Sequence, residues 1–173
     1  IKVFGPDKIS SKLEGSKIFT KEICQKNNIP TSKFKICKSS NETMGYLKSS
    51  HYPLVIKADG LASGKGVYIC KDFNEAKTAA EEIFNGKFGP ADQILVEEFL
   101  DGEEMSYFIV TDGRNYKFFG SAQDHKRVGE GDVGKNTGGM GCYSPSRLLS
   151  DELEFKIKKK IIEPTLSAIN AVS

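Results

Sequence analysis

The sequence predicts an α+β fold with antiparallel strands and flanking helices, and three observations carry that prediction. The apolar run ending at Ile56 and the short segment Val67–Cys70 bracket a glycine-rich loop, as two strands folded back on each other would. Met105–Val110 and Tyr116–Ser121 flank "TDGRN", which reads as a hairpin closed on Asp112-Gly113. Apolar or small residues recur at helical spacing at 76, 79, 80, 83 and 84, and again at Leu153, Ile157 and Ile161.

Each element follows from local chemistry. Ser11 and Glu14 have the spacing of a capping box, and Ile18, Phe19 and Ile23 then share one helical face that "NNIP" closes at Asn27–Pro30. Lys33–Cys37 alternates like a short strand, and "SSNETMGYLKSS" offers cap residues and a weak helix. Pro53–Ala58 reads as a buried strand, Asn74–Phe84 as an amphipathic helix, "NGKFGPAD" as a loop and Ile94–Phe99 as the next strand. Residues 122–146 are rich in glycine and charge with little periodicity. A loop of that length within a domain is uncommon unless it is functional. Asp151–Ala171 is helical, and Pro164 is expected to kink or split it.

Composition narrows the function. A net charge of +2 on 173 residues is too small to argue for nucleic acid or a membrane surface, and no apolar run approaches the roughly 20 residues of a membrane span. Cys24, Cys37, Cys70 and Cys142 are widely spaced, with no CxxC pair, which favours reduced thiols in a cytoplasmic protein over a zinc site or disulfide scaffold. With only two histidines, no Ser/His/Asp or Cys/His relay can be drawn.

The segment "KADGLASGKGV" (Lys57–Val67) has the lysines and glycines of a phosphate loop in an unusual order. A Walker loop needs GxxxxGK[ST], whereas Gly60 and Gly64 are separated by three residues and Gly66 stands where the hydroxyl should be. GxGxxG is absent as well. What remains is a glycine-rich flap between antiparallel strands, offering backbone N–H groups and Lys65 to phosphates, with Lys57 fixed at the strand end. The plain alternative is a hairpin loop with a solvated lysine.

Three further constellations stand out. In "ILVEEFLDGEEMS", the carboxylates of Glu97 and Glu98 protect a strand edge, or the stretch Glu97–Leu100 is a hinge. As a hinge its backbone would meet an adenine edge, Phe99 or Leu100 would supply an apolar face, and Glu104 would accept ribose hydroxyls. Asp124, His125, Lys126 and Arg127 stand together upstream of Gly138-Gly139-Met140-Gly141, a combination suited to anionic and amino groups held close to backbone. Lys17, at the opening of a helix, either reaches a phosphate or is solvated.

Taken together, "LEGSKIFTK", "VIKADGLASGKGV", "VEEFLDGEEMS", "QDHKRVGEGDVGKNTGGMGCYSP" and "IIEPTL" resemble the phosphoribosylamine–glycine ligases of purine synthesis, within the ATP-grasp superfamily, from about Gly5 to Ile169. The resemblance implies an ATP-dependent ligase that phosphorylates glycine and transfers the glycyl group to 5-phosphoribosylamine. It implies that Lys17 and Lys57 contact ATP phosphates, that Gly64, Lys65 and Gly66 form the flap, and that Glu97, Glu98, Phe99 and Leu100 form the adenine hinge, with Glu104 on the ribose. Asp124, Lys126 and Arg127 would be catalytic. Asp124, His125 and Lys126 with Asn136, Thr137, Gly138, Gly139, Met140 and Gly141 would face the substrates.

The same resemblance implies magnesium, with ligands downstream of residue 173 and none in this chain. Both ends read as cut, so an interior piece is expected: residues 1–34 and 106–173 from the central lobe and 35–105 as the small nucleotide-gripping lobe. By itself this piece is expected to be inactive, and the full-length protein to be a monomer. Two rivals stay open: another ATP-grasp carboxylate–amine ligase, and a non-catalytic nucleotide-binding module.

Overall fold

The computed structural model describes residues 4–62, 66–131 and 133–172, with Arg127, Val133, Lys135 and Asn136 described in backbone only. It resolves into two units, one running through Leu100 and one spanning Asp101–Val172.

In the first unit, β1 (Phe34–Cys37), β2 (Leu54–Ala58), β3 (Val67–Cys70) and β4 (Ile94–Glu98) form an antiparallel sheet in the order β1-β4-β2-β3. Period-two alternation gives the sheet two distinct faces. Leu54, Ile56, Ala58, Ile94 and Val96 bury one face with Leu47 of α3 (Ser40–Lys48) and Ala76, Ala79, Ala80 and Ile83 of α4 (Phe73–Phe84). Each large aliphatic side chain buried there is worth about 1.5–3 kcal/mol. The helices start where the sequence supplies caps. Ser39 accepts from the Glu42 N–H, and Asp72 accepts from the Asn74 and Glu75 N–H groups at 2.8 and 3.0 Å. The opposite face carries Val55 directly across from Glu97, with Lys57 one step along the same face.

The N-terminal cap is not the one the sequence suggested. Ser11 makes no side-chain cap bond, and α1 (Lys12–Gly15) is a single turn. The longer α2 (Lys17–Lys26) is capped by Ser16, whose hydroxyl accepts from the Phe19 N–H at 3.1 Å. The strand-edge reading of Glu97 and Glu98 is also overturned, because β4 is an interior strand with β1 and β2 on either side.

In the second unit, β5 (Ser106–Thr111) and β6 (Tyr116–Asp124) form the expected hairpin, with Asp112 accepting from the Arg114 and Asn115 N–H groups in its turn. The described residues within 122–146 carry more strand than their composition indicates. Strand β6 continues to Asp124, β7 (Arg127–Gly129) pairs with β8 (Val133–Asn136), and β9 (Cys142–Tyr143) pairs back onto β6. These ladders are only two to four residues long and rest on backbone bonds, so apolar periodicity leaves no trace of them.

The C-terminal helix splits as Pro164 predicts. A π-turn (Lys158–Ile162) separates α5 (Asp151–Ile157) from α6 (Glu163–Asn170), because proline has no N–H for the ladder and its ring crowds the carbonyl four residues back. The wider turn shifts the helical register, so Ile157 is buried while Ile161 is exposed rather than in line with it. Among the described residues, no helix is long and apolar enough to cross a membrane.

Candidate functional site

The first cluster is built on the inner face of the sheet in the first unit. Glu97 is 5% exposed although it is a carboxylate. Its Oε2 accepts from the Ser32 hydroxyl at 2.6 Å and lies 3.2 Å from the Lys21 ammonium. Lys57 approaches Oε1 at 3.0 Å as an ion pair, and among the described residues Oε1 has no other partner. Burial pushes the Glu97 carboxyl up, but the Ser32 hydroxyl with Lys57 and Lys21 outweighs it and holds the group below its ordinary 4.5. Two ammoniums and one carboxylate leave this face with one positive charge in excess.

The stem of the glycine loop is pinned beside it. Lys17 donates to the Gly60 carbonyl at 2.8 Å, while Asp59 accepts from the Ser16 hydroxyl and the Ile18 N–H. A left-handed φ of 85° at Gly60 turns its chain here. The loop closes where the Ala58 N–H donates to the Gly66 carbonyl at 2.8 Å. A Cβ at Gly66 would lie 2.8 Å from the Ala62 Cβ and 3.0 Å from the Ala58 Cβ, so close packing requires glycine. Gly64 and Lys65 lie outside the described residues.

Past the sheet, the Glu98 N–H is spent on the Lys33 carbonyl, and its carboxylate accepts from the Lys33 N–H. Phe99 and Leu100 follow the last ladder pair, Leu54–Glu98, with Leu100 exposed. Of the hinge expected at Glu97–Leu100, the stretch beyond the ladder is therefore the part with backbone to offer a ligand.

The second cluster lies within the second unit. Lys126 donates to Glu104 at 2.6 Å, which raises the Lys126 pKa chiefly through that bond. The sequence had placed these two residues with different ligands. The segment Asp124–Lys126 is clamped to the glycine turn by backbone. The His125 N–H donates to the Gly141 carbonyl, the Met140 N–H to the His125 carbonyl, and the Thr137 N–H and hydroxyl both to the Lys126 carbonyl. The Gly139 N–H donates to the Thr137 hydroxyl, and the His125 ring stacks on Tyr143 at 5.9 Å. Gly139 has a φ of 126°, and a Cβ there would meet the Asp124 carboxylate at 3.2 Å. Gly138 and Met140 are exposed beside it. Arg127 and Asn136 form a backbone pair between β7 and β8.

Lys21 and Ser32 had no site role in the sequence, and Asp59 and Gly60 stood there only as part of the glycine loop. Only Lys21, four residues after Lys17 and so on the same side of α2, left a usable signal. Among the described residues, no three His, Cys, Asp or Glu side chains converge to hold a metal ion.

A small antiparallel sheet with a pinned glycine loop, followed by a hairpin and a glycine-rich segment, fits an ATP-grasp domain. The sequence matches the phosphoribosylglycinamide synthetase, ATP-grasp (A) domain over residues 15–172, and the chain belongs to that family. It is 47% identical over 167 residues to phosphoribosylamine–glycine ligase of Brucella melitensis, covering 96% of this chain and 39% of that protein. The chloroplastic phosphoribosylamine–glycine ligase of Arabidopsis thaliana is 48% identical over 171 residues, 98% of this chain and 32% of the relative. The crystal structure of phosphoribosylamine–glycine ligase from Thermotoga maritima superimposes with a TM-score of 0.90 at 35% identity, covering 99% of this chain and 44% of that one. The chain thus spans about two fifths of the length of such relatives.

Proposed function

We propose that the full-length protein carrying this chain is an ATP-dependent ligase that joins glycine to 5-phosphoribosylamine. The observation that carries the reading is the buried Glu97 carboxylate flanked by the part-exposed Lys21 and Lys57, with their surplus positive charge beside a pinned glycine loop, within a chain of this family. Such a face suits the phosphates of ATP. Lys57 has donors to spare, Glu97 Oε1 is buried with no hydrogen-bond donor among the described residues, and Phe99–Leu100 offer free backbone past the ladder.

In this reading a glycine carboxylate oxygen attacks the γ-phosphorus and ADP leaves, giving glycyl phosphate. The amine nitrogen of 5-phosphoribosylamine then attacks the acyl carbon. Inorganic phosphate leaves, the nitrogen releases a proton, and glycinamide ribonucleotide remains. The chemistry asks the protein for charge neutralisation and positioning rather than a covalent nucleophile. Lys17, Lys57 and the flap residues Gly64, Lys65 and Gly66 would serve the phosphates, Glu97–Leu100 the adenine and Glu104 the ribose. Asp124, Lys126 and Arg127 would act on the reacting groups, on the rigid frame of Asn136–Gly141. Magnesium would be supplied with ATP. The described residues present no group of three His, Cys, Asp or Glu side chains to hold it.

The test is ADP release by the full-length protein. Release should require glycine and 5-phosphoribosylamine together, with one ADP per glycinamide ribonucleotide. Turnover with a different acid or amine would identify another ATP-grasp ligase instead. ATP binding with no phosphorylated acid would identify a non-catalytic module.

A further inference from the structure

Lys21 has spent its donors. Its ammonium reaches the Thr31 hydroxyl and the Ser32 hydroxyl at 2.6 Å each and Glu97 Oε2 at 3.2 Å, and it sits 5.6 Å from the Phe34 ring centroid. An ammonium has three N–H groups, so nothing remains for a ligand. Lys57 is the opposite case. Among the described residues its one partner is Glu97 Oε1, at 3.0 Å, and its side chain is 25% exposed. The same buried carboxylate thus serves two lysines, one on each oxygen. Ser32 fixes the arrangement, because its hydroxyl accepts from Lys21 and donates to Oε2 at 2.6 Å, holding that oxygen on the Lys21 side.

We propose that Lys21 is a positioning residue for nucleotide binding: by sharing the Glu97 carboxylate at Oε2, it leaves Lys57 with uncompensated charge and spare donors available to a phosphate. The inference rests on the nucleotide reading above. Without Lys21, Glu97 and Lys57 form a closed neutral pair in a half-buried setting, where Coulombic attraction is much stronger than in water. The whole carboxylate then balances Lys57, and an incoming phosphate meets a dipole instead of a net cation.

The experiment is equilibrium titration of ATP against the full-length protein and the variants Lys57→Met, Lys21→Met, Glu97→Gln and the Lys21→Met/Glu97→Gln double variant. Lys21→Met should weaken ATP about tenfold, the factor equivalent to about 1.4 kcal/mol, and leave the KM for glycine unchanged. Lys21→Arg, which restores a cation at Oε2, should recover most of the affinity. In the Glu97→Gln background the Lys21→Met effect should vanish, since no carboxylate is left to shield. If Lys21→Met folds poorly, Ser32→Ala should weaken ATP in the same direction and lose that effect in the same background. A Lys21→Met effect that stays undiminished in the Glu97→Gln background would reduce Lys21 to a structural brace and overturn the proposal. So would normal ATP affinity in Lys21→Met when Lys57→Met is impaired. Normal affinity in Lys57→Met would instead sink the nucleotide reading itself, and this inference with it.

Discussion

Replacing Glu97 with glutamine removes the one negative charge from a buried face that holds two ammoniums. Breaking a buried ion pair by removing one partner costs about 3–5 kcal/mol when the stranded charge cannot escape. Here the strain is partly relieved. Lys21 keeps the Thr31 and Ser32 hydroxyls, and Lys57, 25% exposed, can turn outward, so we expect a loss of about 2–4 kcal/mol. Native-state hydrogen exchange at the β2–β4 amides of the full-length protein reads that loss locally, without assuming that the whole chain unfolds in one step. The pH dependence provides the sharper check. The folded Glu97 carboxyl lies below its ordinary 4.5, so its contribution is complete above that value and disappears as pH falls through the lower folded value. The gap between the parent and the glutamine variant should therefore be full near neutrality and close in acid. A gap that persists unchanged into acid would mean that shape, not charge, makes Glu97 matter.

Three other perturbations test separate parts of the structure. Gly66→Ala puts a methyl group 2.8 Å from the Ala62 Cβ, and should cost about 1–3 kcal/mol and speed hydrogen exchange at the Ala58 amide, which donates to the Gly66 carbonyl. Gly139→Ala forces a side chain onto a φ of 126° against the Asp124 carboxylate; turnover of the full-length protein should fall at least tenfold, a loss of about 1.4 kcal/mol, with circular dichroism unchanged. Asp72→Ala removes the acceptor for two N–H groups at the start of α4, and should lower stability by about 1 kcal/mol while leaving the KM for ATP unchanged.

The central strands of the first unit were legible because burial on both faces leaves short continuous apolar runs: Leu54, Val55 and Ile56 in β2 and Ile94, Leu95 and Val96 in β4 are all buried, and the antiparallel partner of β2 was visible across the glycine loop. The helix at Phe73–Phe84 was equally plain from its alanine and isoleucine stripe. The break before Pro164 followed from proline's missing N–H, but not the π-turn that shifts Ile161 into solvent, since register after a break depends on what the helix packs against.

Composition and motif spacing by themselves determined the fold class, the glycine loop between two strands and the group Asp124–Lys126 with its glycine turn, because each depends on neighbours in the chain. Only the tertiary structure decided what Glu97 is for. Two charges at the end of an apolar run read alike whether the strand lies at an edge or inside, and β1 pairs with β4 across some sixty residues of chain. That pairing buries Glu97 and lets Lys21, Ser32 and Lys57, distant in sequence, converge on one carboxylate. A sequence records which charges are present. Which of them is left uncompensated is set by distances of about 3 Å that exist only once the sheet has formed.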